Sequence, residues 1–192
     1  MGTTVTPNLN LIKPDGSEPG SNFPAQHASN MDTLDTKSDD LEDRASPGLN
    51  RDESSTDITG ITTTTYAAGS PVVGTTFVAP KSGAVEVVIS GKGQVVLTAA
   101  GFRSLFFGME VREGGTIGSG AVVKAAAEDD SLEVGTGSNS SGDRITAGSS
   151  MVVPVTGLTP GNTYNVRSMH KVSVGTSLTA DIYFRRIHVR KA

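Results

Sequence analysis

Apolar and polar side chains alternate with a period of two over residues 58–192 of this 192-residue chain. Short runs such as residues 84–90 (AVEVVIS) and 151–155 (MVVPV) are separated by turns rich in glycine, serine, proline and aspartate. Alternation of this kind is typical of strands that bury one face, and turns at such spacing are typical of a sandwich or a barrel. Residues 58–192 therefore predict an all-β domain, an antiparallel β-sandwich, which we call the head.

The last predicted strand, residues 178–189, contains a break in this alternation. Its apolar residues fall into two groups of opposite phase, first Leu178, Ala180, Ile182 and Phe184 and then Ile187 and Val189. A shift of one residue at Arg185-Arg186 would restore a common apolar face, so we expect a β-bulge there. The charged residues that alternate through positions 185–191 favour an edge strand protected against aggregation, or a contact with an acidic surface.

Residues 1–24 have a different character from the head. They contain four prolines, each of which favours extended backbone, and a cluster of three apolar residues, Leu9, Leu11 and Ile12. Disordered tails seldom carry such a cluster, because low hydrophobicity keeps them unfolded. We interpret residues 1–24 as an extended docking arm that lays these side chains into a groove on another protein. A disordered tail is the alternative.

Residues 25–46 predict a short acidic helix. Its apolar and small residues recur at spacings of three and four, the pattern of a coiled-coil seam: Met31, Leu34, Ser38, Leu41 and Ala45. Pro47-Gly48 ends the helix, and residues 47–57 follow as a polar hinge. We expect a short helical stalk with Met31, Leu34 and Leu41 in its seam. Since two heptads associate only weakly, an amphipathic helix packed on the head or on a neighbouring protein is the alternative.

Composition and charge exclude several classes of protein. The chain has no cysteine, which rules out disulfides and thiolate metal sites. The first sixty residues carry eleven acidic and four basic side chains, and the remainder carry nine and twelve. A head that is only mildly basic does not predict a nucleic-acid partner. No apolar run is long enough to span a membrane and no signal segment is evident, so we expect a soluble protein made in a cytoplasm.

The titratable residues do not predict an enzyme. The three histidines are His27, His170 and His188, and no acidic residue lies near any of them at metal-ligand spacing, although the last two could approach each other on neighbouring strands. No serine lies in the strand-turn-helix motif of a nucleophile. We therefore expect no catalytic residue, no cofactor and no metal site.

Two other motifs have some of the features of a ligand site. The acidic run 128–130, with Glu133 nearby, has the oxygen ligands that calcium prefers, but it lacks EF-hand spacing and reads more simply as a solvated turn. The glycine-rich residues 115–120 lack the lysine and the following helix of a phosphate-binding loop.

The N-terminal segments resemble those of a known class of proteins. Residues 6–17 (TPNLNLIKPDGS), followed by a helix with residues 30–35 (NMDTLD), are similar to the N-termini of tailed-phage fibre and minor tail proteins. This resemblance covers about a fifth of the chain, and Met31 stands where that family often has phenylalanine. It implies a virion protein that docks on other virion proteins through residues 1–45.

The head resembles two families of β-sandwich. Residues 76–87 (TFVAPKSGAVEV) are similar to the second strand and turn of C1q/TNF-like jelly rolls, which implies a jelly-roll head and a homotrimer. Residues 157–166 (GLTPGNTYNV) resemble the tyrosine corner of fibronectin type III domains, in which the tyrosine hydroxyl bonds to nearby backbone. Both alternatives are antiparallel β-sandwiches.

The combined expectation is a trimeric accessory tail or fibre component of a tailed phage, assembled in the host cytoplasm and present in the virion. A capsid decoration or head-fibre protein would have the same arm and head. A receptor module that binds a host surface glycan is a second alternative, against which the absence of tryptophan counts. An enzyme that degrades host polysaccharide is the third.

Overall fold

A computed structural model of the chain describes residues 4–5, 12–13, 27–34, 50–138 and 140–192. The chain divides into two compact units, Met1–Pro47 and Gly48–Ala192. The described part of the first unit consists of an antiparallel pair of short strands, β1 (Thr4–Val5) and β2 (Ile12–Lys13), and a helix, α1, at residues 27–34. No helix among the residues described here is long and apolar enough to cross a membrane.

The second unit is built almost entirely of strands. Those within its described residues are β3 (Asn50–Ser54), β4 (Ile58–Ile61), β5 (Ala67–Ala68), β6 (Gly74–Val78), β7 (Val85–Leu97), β8 (Gly101–Glu113), β9 (Val122–Lys124), β10 (Leu132–Ser138), β11 (Arg144–Val155), β12 (Thr163–Val172) and β13 (Leu178–Lys191). A single 3-10 turn, Glu128–Asp130, precedes β10. This strand content confirms the prediction of an all-β head.

The strands form two antiparallel sheets. In the first sheet the order is β11-β7-β13-β3, and β4 extends the same edge as β3. In the second sheet the order is β10-β8-β12-β5, with β6 beside β12 and β9 beside β8. The pairs β3–β4, β5–β6 and β9–β10 are thus three interrupted edge strands. When each interrupted strand is counted once, the described part of the second unit has eight strands. Their order is first-eighth-third-sixth in one sheet and second-seventh-fourth-fifth in the other, which is the order of a jelly roll.

The segment that resembles a tyrosine corner makes the expected hydrogen bond within this different topology. The Thr159 backbone N–H donates to the Tyr164 hydroxyl at 3.0 Å. Tyr164 lies on β12, where its ring stacks on Phe77 of β6 with centroids 5.8 Å apart. The motif therefore fixes a turn before β12 in a jelly roll, and the fibronectin-like topology is wrong.

The sheets include two segments that the sequence pattern assigned differently. Asn50–Ser54, within the expected hinge of residues 47–57, forms β3 and pairs with β13. Because β13 pairs with β7 on its other side, it is an internal strand and not the predicted edge. Its charges pair with neighbouring strands instead, as in the 2.7 Å ion pair between Arg190 and Glu86.

The hydrophobic core lies between the two sheets and follows the predicted alternation. Along β7 the inward residues are Val85, Val87, Ile89, Val95 and Leu97, all buried. Gly91 and Gly93 occupy the inward positions between them, where they leave room for large side chains from the second sheet. A Cβ added to Gly91 would lie 2.6 Å from the ring of Phe107, so the glycine is required by packing.

A β-bulge shifts the phase of β13. Ile182 lies opposite Gly93 and Phe184 opposite Lys92, so Tyr183 is the extra residue. The predicted shift is present, but it occurs two residues earlier than expected. As a result Phe184 leaves the inward face, and the inward position after the bulge belongs to Arg185.

Arg185 is a fully buried cation with few partners. Its Nη2 donates to the carbonyl oxygen of Pro71 at 2.9 Å, while Nε and Nη1 have no hydrogen-bond partner. Gly69 leaves the room that the guanidinium occupies, since a Cβ at this position would overlap Nη1. Burial lowers the pKa of Arg185, and the charge of Asp52 acts in the opposite direction. Unpartnered buried donors are destabilising, so this site reduces the stability that the apolar core supplies.

His170 is also buried, on the inward face of β12 in the opposite sheet. Its Nδ1 has no hydrogen-bond partner. Burial, and secondarily the positive charge of Arg185, lowers the pKa of His170 to about 4. The imidazole is therefore neutral in the folded protein at neutral pH, and protonating it places a second positive charge in the core.

We predict that Gly91→Ala destabilises the head by about 1–3 kcal/mol, because the added methyl group overpacks the core against Phe107. Urea denaturation followed by circular dichroism measures the change. Gly115→Ala is the matched control, since its Cβ would meet nothing closer than Thr163 Cγ2 at 3.7 Å. Equal stability of the two variants would contradict the packing described for β7.

We predict a loss of stability at acid pH that depends on His170. Below the ordinary histidine pKa of 6.5 the unfolded chain binds a proton that the folded chain accepts only near pH 4. The free energy of unfolding should therefore fall by about 3 kcal/mol through His170 between these pH values. His170→Asn should remove this part of the pH dependence, whereas His27→Asn, at an exposed position on α1, should not. Urea denaturation at a series of pH values tests the difference in slope, and identical slopes for the two variants would disprove it.

Candidate functional site

The residues predicted to anchor the chain lie in the first unit. Leu9, Leu11 and Leu41 are outside the described residues. Ile12 is the first residue of β2 and lies opposite Val5 of β1. Met31 and Leu34 both lie on α1, and both side chains are exposed in the single chain.

The three histidines lie on different elements. His27 is exposed on α1, His170 faces the core from the second sheet, and His188 lies on β13 of the first sheet. The two strand histidines are therefore in different sheets, and the expectation that they could meet across neighbouring strands is wrong. Burial, with the charges of three neighbouring arginines, lowers the pKa of His188.

The acidic run before β10 is divided among separate partners. Glu128 forms an ion pair with Lys171, and Asp130 pairs with Lys124 at 2.7 Å. Nowhere in the described residues do three or more His, Asp or Glu side chains converge as a metal site would require.

The glycine-rich loop of residues 115–120 uses its backbone groups internally. The Gly118 N–H donates to Asn165 Oδ1 at 2.9 Å, and Asn165 Nδ2 donates to the carbonyl oxygens of Gly114 and Ser119 at 3.0 and 3.1 Å. Arg112 adds a hydrogen bond to the Gly120 carbonyl at 2.8 Å. These bonds hold the loop against the outward face of the second sheet. Its amides therefore serve the fold and not a phosphate group.

An ion cluster lies beside this loop. Glu110 accepts hydrogen bonds from Arg112 Nε at 2.7 Å and from Arg167 Nε at 2.9 Å. The hydrogen bond from Arg112 is the largest cause that lowers the pKa of Glu110, and burial opposes it. The cluster is internally satisfied, which gives it a structural function.

The candidate functional site is an open groove of about 440 Å³ on the outward face of the second sheet, at its β10 edge. Strands β8 and β10 supply its lining, which consists of Phe102, Ser104, Glu133, Gly135, Thr136 and Gly137. We call it the Phe102 groove. Its volume lies within the range of roughly 300–1,000 Å³ that is usual for small-ligand sites.

The register between β8 and β10 places an aromatic ring on glycine backbone. Gly137 lies opposite Phe102, which is 86% exposed. A Cβ added to Gly137 would overlap the Phe102 ring, so the ring lies directly against that backbone. The Cδ1–Cε1 edge of the ring therefore lies against the sheet, and most of the ring is open to solvent.

Polar groups line the groove next to this ring. Gly135 lies opposite Ser104, and the Ser104 hydroxyl donates to Glu133 Oε1. A Cβ at Gly135 would come within 2.7 Å of Ser104 Oγ, so this second glycine gives the hydrogen-bonded pair its room. Among the residues that the structure describes, Glu133 Oε2 does not bond to a protein atom. It remains available to a ligand. The side chain of Thr136 lies in phase with the inward residue Val134, so Thr136 lines the groove without directing its hydroxyl to the outward face.

A set of satisfied side chains follows Ser104 along the outward face of the second sheet. Lys171 lies over the rings of Tyr66 and Phe106, at 5.2 and 5.3 Å from their centroids, and pairs with Glu128. The Tyr66 hydroxyl bonds to Ser131 Oγ at 2.7 Å, and burial raises the pKa of Tyr66. Arg103 is a cation directly beside the groove, where its Nη1 donates to the Phe102 carbonyl at 2.7 Å, but its side chain starts from the opposite face of the sheet. The lining itself contains no basic side chain.

The sequence pattern alone does not identify Phe102. It predicts a strand from Arg103 onward and, because residues 135–143 are rich in glycine and serine, an exposed loop there, whereas β8 begins at Gly101 and β10 continues to Ser138. The alternation did contain a signal, because Phe102 and Ser104 have the opposite phase to the core residue Phe107. The pairing with Gly137 is a long-range contact that the alternation does not reveal.

Comparison with known proteins yields distant structural similarities only. No protein-family model matches the chain, and no curated protein matches it. Dimeric latent PorU from Porphyromonas gingivalis has 9% identity and a TM-score of 0.35, over 75% of this chain and 12% of that one. The infectious bursal disease virus Gt strain structure has 14% identity and a TM-score of 0.30, over 76% and 32%. The CBM22-1 xylan-binding domain of Paenibacillus barcinonensis Xyn10C has 15% identity and a TM-score of 0.24, over 77% and 99%.

Proposed function

We propose that this chain is a structural virion protein of a tailed phage. In this proposal it is a trimeric accessory component of the tail or fibre that attaches through its first unit and presents a jelly-roll head. The observation that carries the proposal is the division of the chain into the units Met1–Pro47 and Gly48–Ala192. The first contains the sequence that resembles phage docking arms, and the second forms a complete jelly roll from its own strands.

Completeness of the head supports an attachment role for the first unit. Both sheets of the head are built from strands between residues 50 and 191, and among the described residues every strand pairing of the head lies within that range. Neither described strand of the first unit takes part in these sheets. This leaves the apolar cluster Leu9, Leu11 and Ile12 for contact with another virion protein. Three such arms on one trimer would bind far more tightly than one, because the second and third contacts form at high effective concentration.

Trimerisation in this proposal depends mainly on the head. A seam that contains Met31, Leu34 and Leu41 spans only two heptads, which is too short to associate strongly by itself. On the outward face of the first sheet, the exposed Val152 lies directly opposite Val88 and offers an apolar contact. The proposed action is mechanical and adhesive, with no chemical step.

We predict that the purified chain has the solution mass of three 19.7 kDa copies by light scattering. A shortened chain of residues 48–192 should also be a trimer, because the head supplies the main contact. The shortening starts before β3, since removal of that strand would expose an edge of β13. A monomeric mass for both chains would contradict the trimer, and a trimer of the full chain alone would assign assembly to the first unit.

We also predict that the arm positions the protein on the particle. Immunogold labelling of virions from the phage that encodes the chain should locate it on the tail. A variant with Leu9→Asp, Leu11→Asp and Ile12→Asp should lose labelling while it keeps its solution mass, because charged side chains do not enter an apolar groove. Val78→Asp, at an exposed position on β6, is the control that should leave labelling unchanged. Label on the capsid would indicate the decoration or head-fibre alternative, and label that persists in the arm variant would contradict docking through the arm.

A further inference from the structure

We propose that the Phe102 groove binds a neutral saccharide. This inference deepens the attachment role and rests on it for its biological meaning, since it names the class of ligand that the head would contact. Four properties of the groove support it: the exposed aromatic ring, the free carboxylate oxygen of Glu133, the charge of the lining and the shape of the floor.

The aromatic ring has the placement that a stacking ligand needs. Phe102 is 86% exposed, and its ring rests on the backbone of Gly137. Most of the apolar surface of such a ring is in contact with water, so a flat ligand that covers an exposed face of it buries additional apolar area. A pyranose ring has one face of C–H groups that is suited to this contact. Its remaining edges carry hydroxyl groups that need partners.

The polar atoms of the groove match those hydroxyl groups. Glu133 keeps one carboxylate oxygen free while Ser104 holds the other, so the carboxylate is oriented before a ligand arrives. A carboxylate accepts strong hydrogen bonds from hydroxyl donors. An aromatic platform beside a few fixed polar groups is the usual composition of a small-ligand site.

Charge favours a neutral ligand over an anionic one. The lining contains one carboxylate and no basic side chain. Arg103 lies beside the groove and donates to the Phe102 carbonyl at 2.7 Å, but its side chain starts from the opposite face of the sheet. On the outward face, Lys171 is paired with Glu128 and lies over two aromatic rings. A sialylated, sulfated or phosphorylated ligand would meet the repulsion of Glu133, and no basic side chain in the lining would compensate it. The same argument disfavours single-stranded nucleic acid, whose sites combine stacking with a positively charged groove.

The floor of the groove favours a sugar over a peptide strand. Gly135 and Gly137 of β10 add no side chain of their own, and the Phe102 ring and the Ser104–Glu133 pair lie over them, so the groove is open and shallow. An added peptide strand would instead bond to the outer edge of β10, and that contact would not use the outward face where Phe102 and Glu133 lie.

The test uses the full-length chain on a glycan array that carries neutral oligosaccharides of glucose, galactose, mannose and xylose beside sialylated and sulfated ones. We expect binding to neutral members only. The strongest neutral binder is then titrated by calorimetry against the wild-type chain and its variants. Phe102→Ala should weaken affinity at least about ten-fold, and Glu133→Gln should weaken it several-fold.

Matched controls separate the groove from the rest of the surface. Val78→Ala removes another apolar side chain that is 54% exposed, and Glu113→Gln neutralises another exposed carboxylate at the end of β8. Both should bind like the wild type. Gly137→Ala keeps every lining side chain but forces the Phe102 ring to move, so it should also weaken binding. Gly115→Ala is its control, and thermal unfolding checks that each variant is folded.

These measurements separate a failure of the groove proposal from a failure of the proposed virion function. No binding to any neutral oligosaccharide at millimolar concentration, or binding that Phe102→Ala leaves unchanged, overturns the groove proposal while trimer and docking results stand. Saccharide binding through Phe102 by a monomer that does not label virions supports the groove and overturns the virion role. If Phe102→Ala changes the solution mass instead, the groove is a contact between copies of the chain and the saccharide proposal is wrong.

Discussion

The pairing of β13 with strands on both of its sides holds the head together. This strand pairs with β7 along almost its whole length on one side and with β3 and β4 on the other. The last strand of the chain thereby closes onto the first strands of the head, so the first sheet is complete only when both ends of the head are in place. Pairing between segments so distant in sequence predicts slow folding relative to helical domains of the same size.

The bulge at Tyr183 keeps the apolar residues at both ends of β13 on the inward face of this sheet. Without the extra residue, Ile187 and Val189 would face solvent and the core would lose two fully buried side chains. With it, Arg185 enters the core beside Gly69 and opposite His170, where two of its nitrogen atoms find no partner. The same shift therefore completes the apolar core and introduces its least favourable group. The head tolerates this because the two apolar residues gained offset one poorly solvated guanidinium.

The sequence predicted the parts of the fold that depend on local pattern. Alternation along β7 identified the buried valines, and the change of phase in β13 revealed that a bulge must exist. Its position was misplaced because the apolar residues locate the change of phase between Phe184 and Ile187. The burial of Arg185, which puts the bulge at Tyr183, depends on space left by Gly69, which is distant in sequence. The strand β3 was missed for a similar reason. Its polar sequence, NRDES, has no apolar alternation, and only its pairing with β13 makes it a strand.

Strand β8 shows why the candidate site could not be predicted in the same way. Leu105 and Phe107 face the core, and the alternation of apolar residues predicts this orientation. Phe102 and Ser104 have the opposite phase and line the groove. An outward phenylalanine reads as an unremarkable surface residue until the register shows that Gly137 lies beneath it and Glu133 stands beside Ser104. Since Phe102 contributes little to the core, its side chain can change with little effect on folding. The same is not true of Phe107, which packs against Gly91 and Gly93. The head thus separates the residues that stabilise it from those that face a ligand on alternate positions of one strand.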